Sequence, residues 1–219
     1  MIRLDTDERS IFMISTPEIL YEDDSLIVVN KPAGLPVETR RLTETDLVSL
    51  MKTHVKGGYI AVINRLDQPV EGLLLFAKNK KSASALSKSL RSGQFEKIYL
   101  ALVEGHFKEQ SGTMTDRLLK DGRKNMSFTS TAKQAKKAVL TYRVLEERKD
   151  ASLLEIHLET GRHHQIRVQL SSRSHALLGD RKYGTGTSPA FPALAAAKLS
   201  FPHPVTKERL SFQITPSFL

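Results

Sequence analysis

The sequence predicts an α+β domain built on a mixed, mostly antiparallel central sheet with flanking helices. Three observations carry that expectation. Short aliphatic runs at residues 25–30 (SLIVVN), 73–77 and 95–104 are too short for stable helices and rich in strand formers. The last of these is apolar on both alternating faces, as a central strand covered on two sides must be. Helical spacing, by contrast, is confined to a few segments with a capping residue in front and glycine behind. No internal repeat, low-complexity tract or linker divides the chain, so residues 1–219 are expected to form one domain.

Taken in order, residues 1–16 read as a poorly ordered or edge segment, and residues 19–21 and 25–30 as strands. Lys31-Pro32-Ala33-Gly34-Leu35-Pro36 stops the second strand. Thr45 or Asp46 can cap a helix to about Val55, with Leu47, Leu50, Met51 and His54 at helical spacing and Gly57-Gly58 as its stop. Runs 59–63 and 73–77 read as strands flanking a shaped loop around Pro69 and Gly72. Asn79 can cap a helix over residues 80–92, with Ala83, Leu86 and Leu90 inward, and Gly93 ends it. Residues 110–137, rich in Lys and Arg, form either a long basic hairpin or a mobile loop. Runs 139–145 and 152–158 read as paired strands, and residues 163–172 as a helix with Ile166 and Leu170 inward. Phe191, Leu194 and Leu199, then residues 210–214, suggest two last strands around a Pro-rich turn.

Composition narrows the function. A formal net charge of +9 favours a polyanionic partner, most simply nucleic acid. Cysteine is absent, which excludes disulfides, thiol nucleophiles and Cys-based metal sites. No stretch resembles a signal peptide, and no apolar run approaches the ~20 residues a membrane span needs. A soluble, cytoplasmic protein is expected, without a membrane partner.

Four groups of residues could carry chemistry. Asp67, in a short polar loop held by two strands, is either a turn cap or a catalytic carboxylate, and Arg65 lies two residues before it. Spacing of two in an extended loop tends to project both side chains the same way. Tyr99, midway along the apolar strand, is either a core aromatic or a ring that stacks on a base or moves a proton. In Gly161-Arg162-His163-His164-Gln165-Ile166-Arg167, two arginines bracket two imidazoles and an amide at an expected helix start, a natural anion site. A metal site there is disfavoured, because adjacent histidines on a helix diverge and no acid completes the set. Finally, lysines and arginines recur around these segments, as in Lys78, Lys80, Lys120, Arg123, Lys136 and Lys182, forming a nucleic-acid footprint.

Together these segments resemble the RluA-type pseudouridine synthase family. Its His-Arg-Leu-Asp motif stands here as Asn64-Arg65-Leu66-Asp67, leading into Gly72-Leu73-Leu74-Leu75-Phe76-Ala77-Lys78. The stretches Asn30-Lys31-Pro32-Ala33-Gly34, Lys97-Ile98-Tyr99-Leu100-Ala101, Gly161 to Arg167 and Gly179-Asp180-Arg181-Lys182-Tyr183-Gly184 follow in the family's order. The resemblance implies isomerisation of uridine to pseudouridine in structured ribosomal or transfer RNA, by base flipping and without metal or cofactor. It makes Asp67 the essential carboxylate, Tyr99 the motif tyrosine and Arg167 the salt-bridge partner of Asp67. Arg65 would fill the space left by the flipped base, and Arg162, His164, Gln165 and Ile166 would join it in binding substrate. Asn64 replaces the usual His, and Val70-Glu71 the usual Thr-Ser. A separate N-terminal S4-like domain is not expected, and the chain is expected to act as a monomer. The alternative is a catalytically inactive RNA-binding factor on the same fold; a glycosidic hydrolase is a weaker third reading.

Overall fold

Residues 26–29 and 72–77 offer no polar side chain to water, and every one of them is buried. A computed structural model describes residues 17–39, 41, 43–186 and 188–219. The expectation for residues 1–16 lies outside them. Strands β1 (Glu18–Glu22) and β2 (Leu26–Lys31) form a hairpin whose turn is closed by Asp23, accepting from the backbone N–H of Ser25 and Leu26. Helix α1 (Leu47–His54) starts where Asp46 accepts from Ser49 N–H, as the capping pattern predicts. Strand β3 is only Ala61–Val62, shorter than expected, and pairs with β4 (Glu71–Ala77). Helix α2 (Lys80–Arg91) is capped by Asn79, which accepts from Ser82 N–H.

The rest of the chain extends the sheet. Strands β5 (Glu96–Glu104), β6 (Ser111–Asp121), β7 (Met126–Thr129), β8 (Lys136–Arg148) and β9 (Ala151–Leu158) precede helix α3 (Gln165–Ser171), and β10 (Leu194–Pro202) and β11 (Arg209–Gln213) end it. The described strands form one eleven-stranded sheet in the order β1-β2-β4-β10-β5-β9-β8-β6-β7, with β3 also on β4 and β11 on β10. Every pairing is antiparallel except that of β4 with β10. The basic segment 110–137 is therefore an ordered hairpin, β6 with β7, laid against β8. No described helix is long and apolar enough to cross a membrane.

Alternation along β2 and β4 divides the core between two faces. Leu26, Val28, Leu73 and Leu75 pack with Leu86 of α2, whereas Ile27, Val29, Leu74 and Phe76 pack with Leu47 and Met51 of α1. A third cluster joins Tyr99, Ala101 and Val103 of β5 to Leu154 and Ile156 of β9 and to Ile166 and Leu170 of α3. One glycine is required for this arrangement. Gly72 has φ +124°, and a Cβ there would lie 2.5 Å from the nitrogen of Ala196. Its absence lets β4 approach β10, and Ala196 pairs on its other side with Tyr99. The strand that follows the Asp67 loop is thus set one strand away from the strand that carries Tyr99.

Candidate active site

The loop bearing Asp67 is pinned from below by a buried lysine. Lys31, fully buried, donates to the carbonyls of Pro32 (2.9 Å), Leu35 (2.9 Å) and Gln68 (3.0 Å), the last adjoining Asp67. Gly34 N–H also donates to Gln68 O, and Gln68 Nε2 returns a bond to Gly34 O. Two proline-bearing loops, each unable to complete a strand ladder, thereby satisfy one another. Burial pushes the Lys31 ammonium down to about 7, opposed by the negative charges of Asp67 and Glu71.

Arg167 comes to this loop from α3. Its Nη1 lies 3.3 Å from Asp67 Oδ2, across 100 residues of sequence. Its stronger partner is Asp180, which receives Nε at 2.7 Å and Nη2 at 2.6 Å in a bidentate, buried pair. Desolvation alone would lower the guanidinium's proton affinity, but the bonds and charge of Asp180 and then Asp67 raise it above the ordinary arginine value. Burial likewise opposes ionisation of Asp180, and Arg167 more than offsets it, holding that carboxyl below the usual range. The Tyr183 ring covers the guanidinium carbon at 5.1 Å.

His164 is the second group on Asp67. Its Nε2 lies 3.4 Å from Asp67 Oδ2, and its Nδ1 lies 2.7 Å from the Tyr183 hydroxyl. The residue is left-handed (φ 53°), so α3 begins at Gln165, two residues later than the sequence predicts. That conformation corrects the expectation of diverging histidines. The rings of His163 and His164 stack, with centroids 3.7 Å apart. Burial, then the charge of Arg167, pushes His164 down to about 3, so it is neutral at neutral pH.

Tyr99 is buried, and its hydroxyl has no hydrogen bond to any described residue. Burial first, and the charge of Asp67 second, raise its proton affinity well above that of an ordinary tyrosine. Its phenol therefore stays protonated at neutral pH.

The remaining candidates divide differently from the sequence expectation. Arg65 is exposed and bonds Glu38 at 2.6 Å, so Arg65 and Asp67 have separate partners despite their spacing. Arg162 is exposed and donates from Nε to Lys137 O. Gln165 and Ile166 belong to the scaffold. The Gln165 oxygen accepts from Thr160 Oγ1 and Arg162 N–H, its nitrogen donates to Val139 O, and Ile166 lies in the core. At the start of the seven-residue α3, the Gln165 amide expected to face an anion is thus spent on the scaffold.

The departures beside Asp67 are structural too. Asn64 is buried and bridges strand β4, donating to Leu73 O (3.1 Å) and accepting from Leu75 N–H (2.8 Å). Val70 is a core residue, and Glu71 accepts from the backbone and hydroxyl of Ser217 near the C-terminus. Asp180, Tyr183 and Ser127 were given no role by sequence reasoning. The signal available was the Gly179 to Gly184 turn, a polar turn with an acid and an aromatic between glycines.

A family model described as RNA pseudouridylate synthase matches residues 25–172. The ribosomal large subunit pseudouridine synthase D of Zymomonas mobilis is 36% identical over 216 residues, covering 89% of this chain and 68% of the relative. The dual-specificity RNA pseudouridine synthase RluA of Pasteurella multocida is 31% identical over 205 residues, covering 92% of this chain and 94% of the relative. The solved structure of human RNA pseudouridylate synthase domain containing 1 shares the fold, with TM-score 0.81, 24% identity and 94% of this chain covered against 86% of that one. A carboxylate held beside a buried arginine and near a buried tyrosine, on a scaffold with these relatives, places the chain in the RNA pseudouridylate synthase family, isomerases that convert uridine in RNA to pseudouridine.

Proposed function

We propose that this chain isomerises particular uridines of structured ribosomal or transfer RNA through Asp67, as a single-domain monomer in the cytoplasm. The observation that carries the reading is the convergence of Arg167 and Tyr99, from distant segments, on one partly exposed carboxylate. The target base is flipped out of its stack at a cost of a few kcal/mol. Arg65, held among the described residues by an exposed contact to Glu38, is free to exchange that partner for the vacated space in the RNA.

Asp67 then acts on the sugar, either by attacking C1′ or by taking the 2′ proton to give a glycal. Both routes break the C1′–N1 bond and neutralise the carboxylate. That change bears on Tyr99, whose proton is held in part by the charge of Asp67. While Asp67 is neutral, the phenol gives up its proton more readily; the returning carboxylate charge makes the phenolate the stronger base. After the uracil turns, C5 joins C1′ as the C1′–Asp67 bond breaks, or as the 2′ proton returns to C2′. The C5 proton then leaves and N1 gains one, with buried Tyr99 as the relay. The products balance, since pseudouridine is an isomer of uridine.

Within this domain, exposed basic residues offer a surface for the RNA. The β6–β7 hairpin carries exposed Arg123 and Lys124 at its tip; His163 Nε2 ties that tip, at Asn125, to the turn before α3, and Lys182 Nζ ties it to the turn at residues 179–184. Binding through such a surface weakens steeply with salt. The test is carbodiimide labelling of ribosomal and transfer RNA treated with the purified chain. New labelled sites without free uracil support isomerisation; free uracil would indicate hydrolysis, and bound but unlabelled RNA an inactive binding factor.

A further inference from the structure

Three polar groups stand in series behind Asp67, and the catalytic steps above use none of them. Ser127 N lies 2.7 Å from the Tyr183 oxygen, that oxygen lies 2.7 Å from His164 Nδ1, and His164 Nε2 faces Asp67 Oδ2 at 3.4 Å. The direction of each contact follows from proton counting. A backbone N–H can only donate, so the Tyr183 oxygen accepts from Ser127. Among the described residues the hydroxyl's one proton has no acceptor other than Nδ1, so Nδ1 takes it as a bare nitrogen. A neutral imidazole has one proton left, and it sits on Nε2, facing the carboxylate. Burial first, then the positive charges of Arg167, His163 and Lys182, keep the ring neutral against the opposing charge of Asp180.

The anchor is rigid. Ser127 belongs to β7, paired there with Lys120 of β6, and its hydroxyl meets His163 Nδ1 at 2.9 Å. His163 stacks on His164, and the Tyr183 ring stands edge-on to His164 while covering Arg167. Neither ring of this pair can turn without breaking contacts to two other elements.

A second observation concerns the carboxylate itself. Both Arg167 Nη1 and His164 Nε2 approach Oδ2, while Oδ1 has no hydrogen bond to any described residue. The two oxygens of Asp67 are therefore inequivalent.

We propose that Tyr183 and His164 are positioning residues that fix the Nε2–H tautomer and hold Asp67 by Oδ2, leaving Oδ1 as the oxygen that acts on the sugar. The opposite tautomer would aim a lone pair at the carboxylate and push it out of place. At 3.4 Å the contact is electrostatic in the free protein, and such contacts tighten when substrate closes the site. The proposal rests on the isomerase reading above, but its tautomer can be measured without RNA.

The test is Tyr183→Phe, which keeps the ring over Arg167 and against His164 and removes only the hydroxyl. Single-turnover isomerisation is expected to fall about tenfold, the scale of one lost bond to a charged group, with RNA affinity unchanged. In a His164→Gln background, where no Nδ1 needs a donor, adding Tyr183→Phe is expected to cost nothing further. Nitrogen-15 NMR of the wild-type histidines, with His164→Gln identifying the signal, is expected to show the Nε2–H tautomer, and Tyr183→Phe to mix it. An Nδ1–H tautomer in the wild type would overturn the proposal whether or not the chain isomerises any RNA tried. An unchanged rate in Tyr183→Phe, or an equal loss in both backgrounds, would overturn it as well.

Discussion

Replacing Asp180 by Asn probes the pair on which the whole site rests. Asn keeps an oxygen for the backbone N–H groups of Lys182 and Tyr183, which now donate to Oδ1. It removes the charge that faces Arg167, a residue 3% exposed. Two of the guanidinium's three hydrogen bonds to described residues, at 2.6 and 2.7 Å, go to Asp180, leaving Asp67 at 3.3 Å as its counter-charge among them. Two estimates of the cost agree. Unit charges about 4 Å apart interact by ~4 kcal/mol at the effective dielectric of protein sites. Removing one partner of a buried pair typically costs about 3–5 kcal/mol, because the other charge is left unpaired. Denaturant unfolding is therefore expected to lose about 3–5 kcal/mol at unchanged m-value, a large part of an ordinary domain's stability. Replacing both partners, as Arg167→Met with Asp180→Leu, is expected to recover much of that loss while abolishing isomerisation. A cost for Asp180→Asn below ~1 kcal/mol, or additive losses in the double variant, would refute the buried-pair reasoning.

Two further expectations concern the loop's supports. Asn64→Ala strips partners from Leu73 O and Leu75 N–H, so unfolding should show a loss of about 1–3 kcal/mol for each group left unpaired. The folded fraction should keep wild-type single-turnover rates, and a selective loss of rate would instead make Asn64 part of the chemistry. Lys31 binds its proton less tightly folded (about 7) than unfolded (about 10.5). Between those values the unfolded chain holds more protons, so wild-type stability should gain on that of Lys31→Met as pH rises from 7 towards 10. Parallel stability profiles for the two proteins would contradict the depressed lysine.

Much of the fold was legible because its signals are local. The aliphatic runs of β2, β4 and β5 and the caps Asp46 and Asn79 each announce their element within a few residues. What escaped is non-local or conformational. The left-handed backbone at His164 shortens α3 and turns two expected divergent imidazoles into a stack, and no periodicity reports a single residue's φ. The roles of Asp180 and Tyr183 depend on a bidentate bond and a ring contact to α3, visible only after folding. Arg65 and Asp67, two apart in sequence, part company because Glu38 is available to one and Arg167 to the other. Asn64 and Glu71 look like changes to the chemistry beside Asp67, yet they complete backbone bonds to β4 and Ser217.

The central claim is that Asp67 performs the isomerisation, and Asp67→Asn tests it most directly. The amide keeps the size of the carboxylate but can neither attack C1′ nor take the 2′ proton. Under single-turnover conditions, with product read by carbodiimide labelling, the variant is expected to form no pseudouridine while binding RNA as tightly as the wild type. Pseudouridine formed by Asp67→Asn at a rate within about tenfold of the wild type, where loss of an essential group costs orders of magnitude, would contradict it.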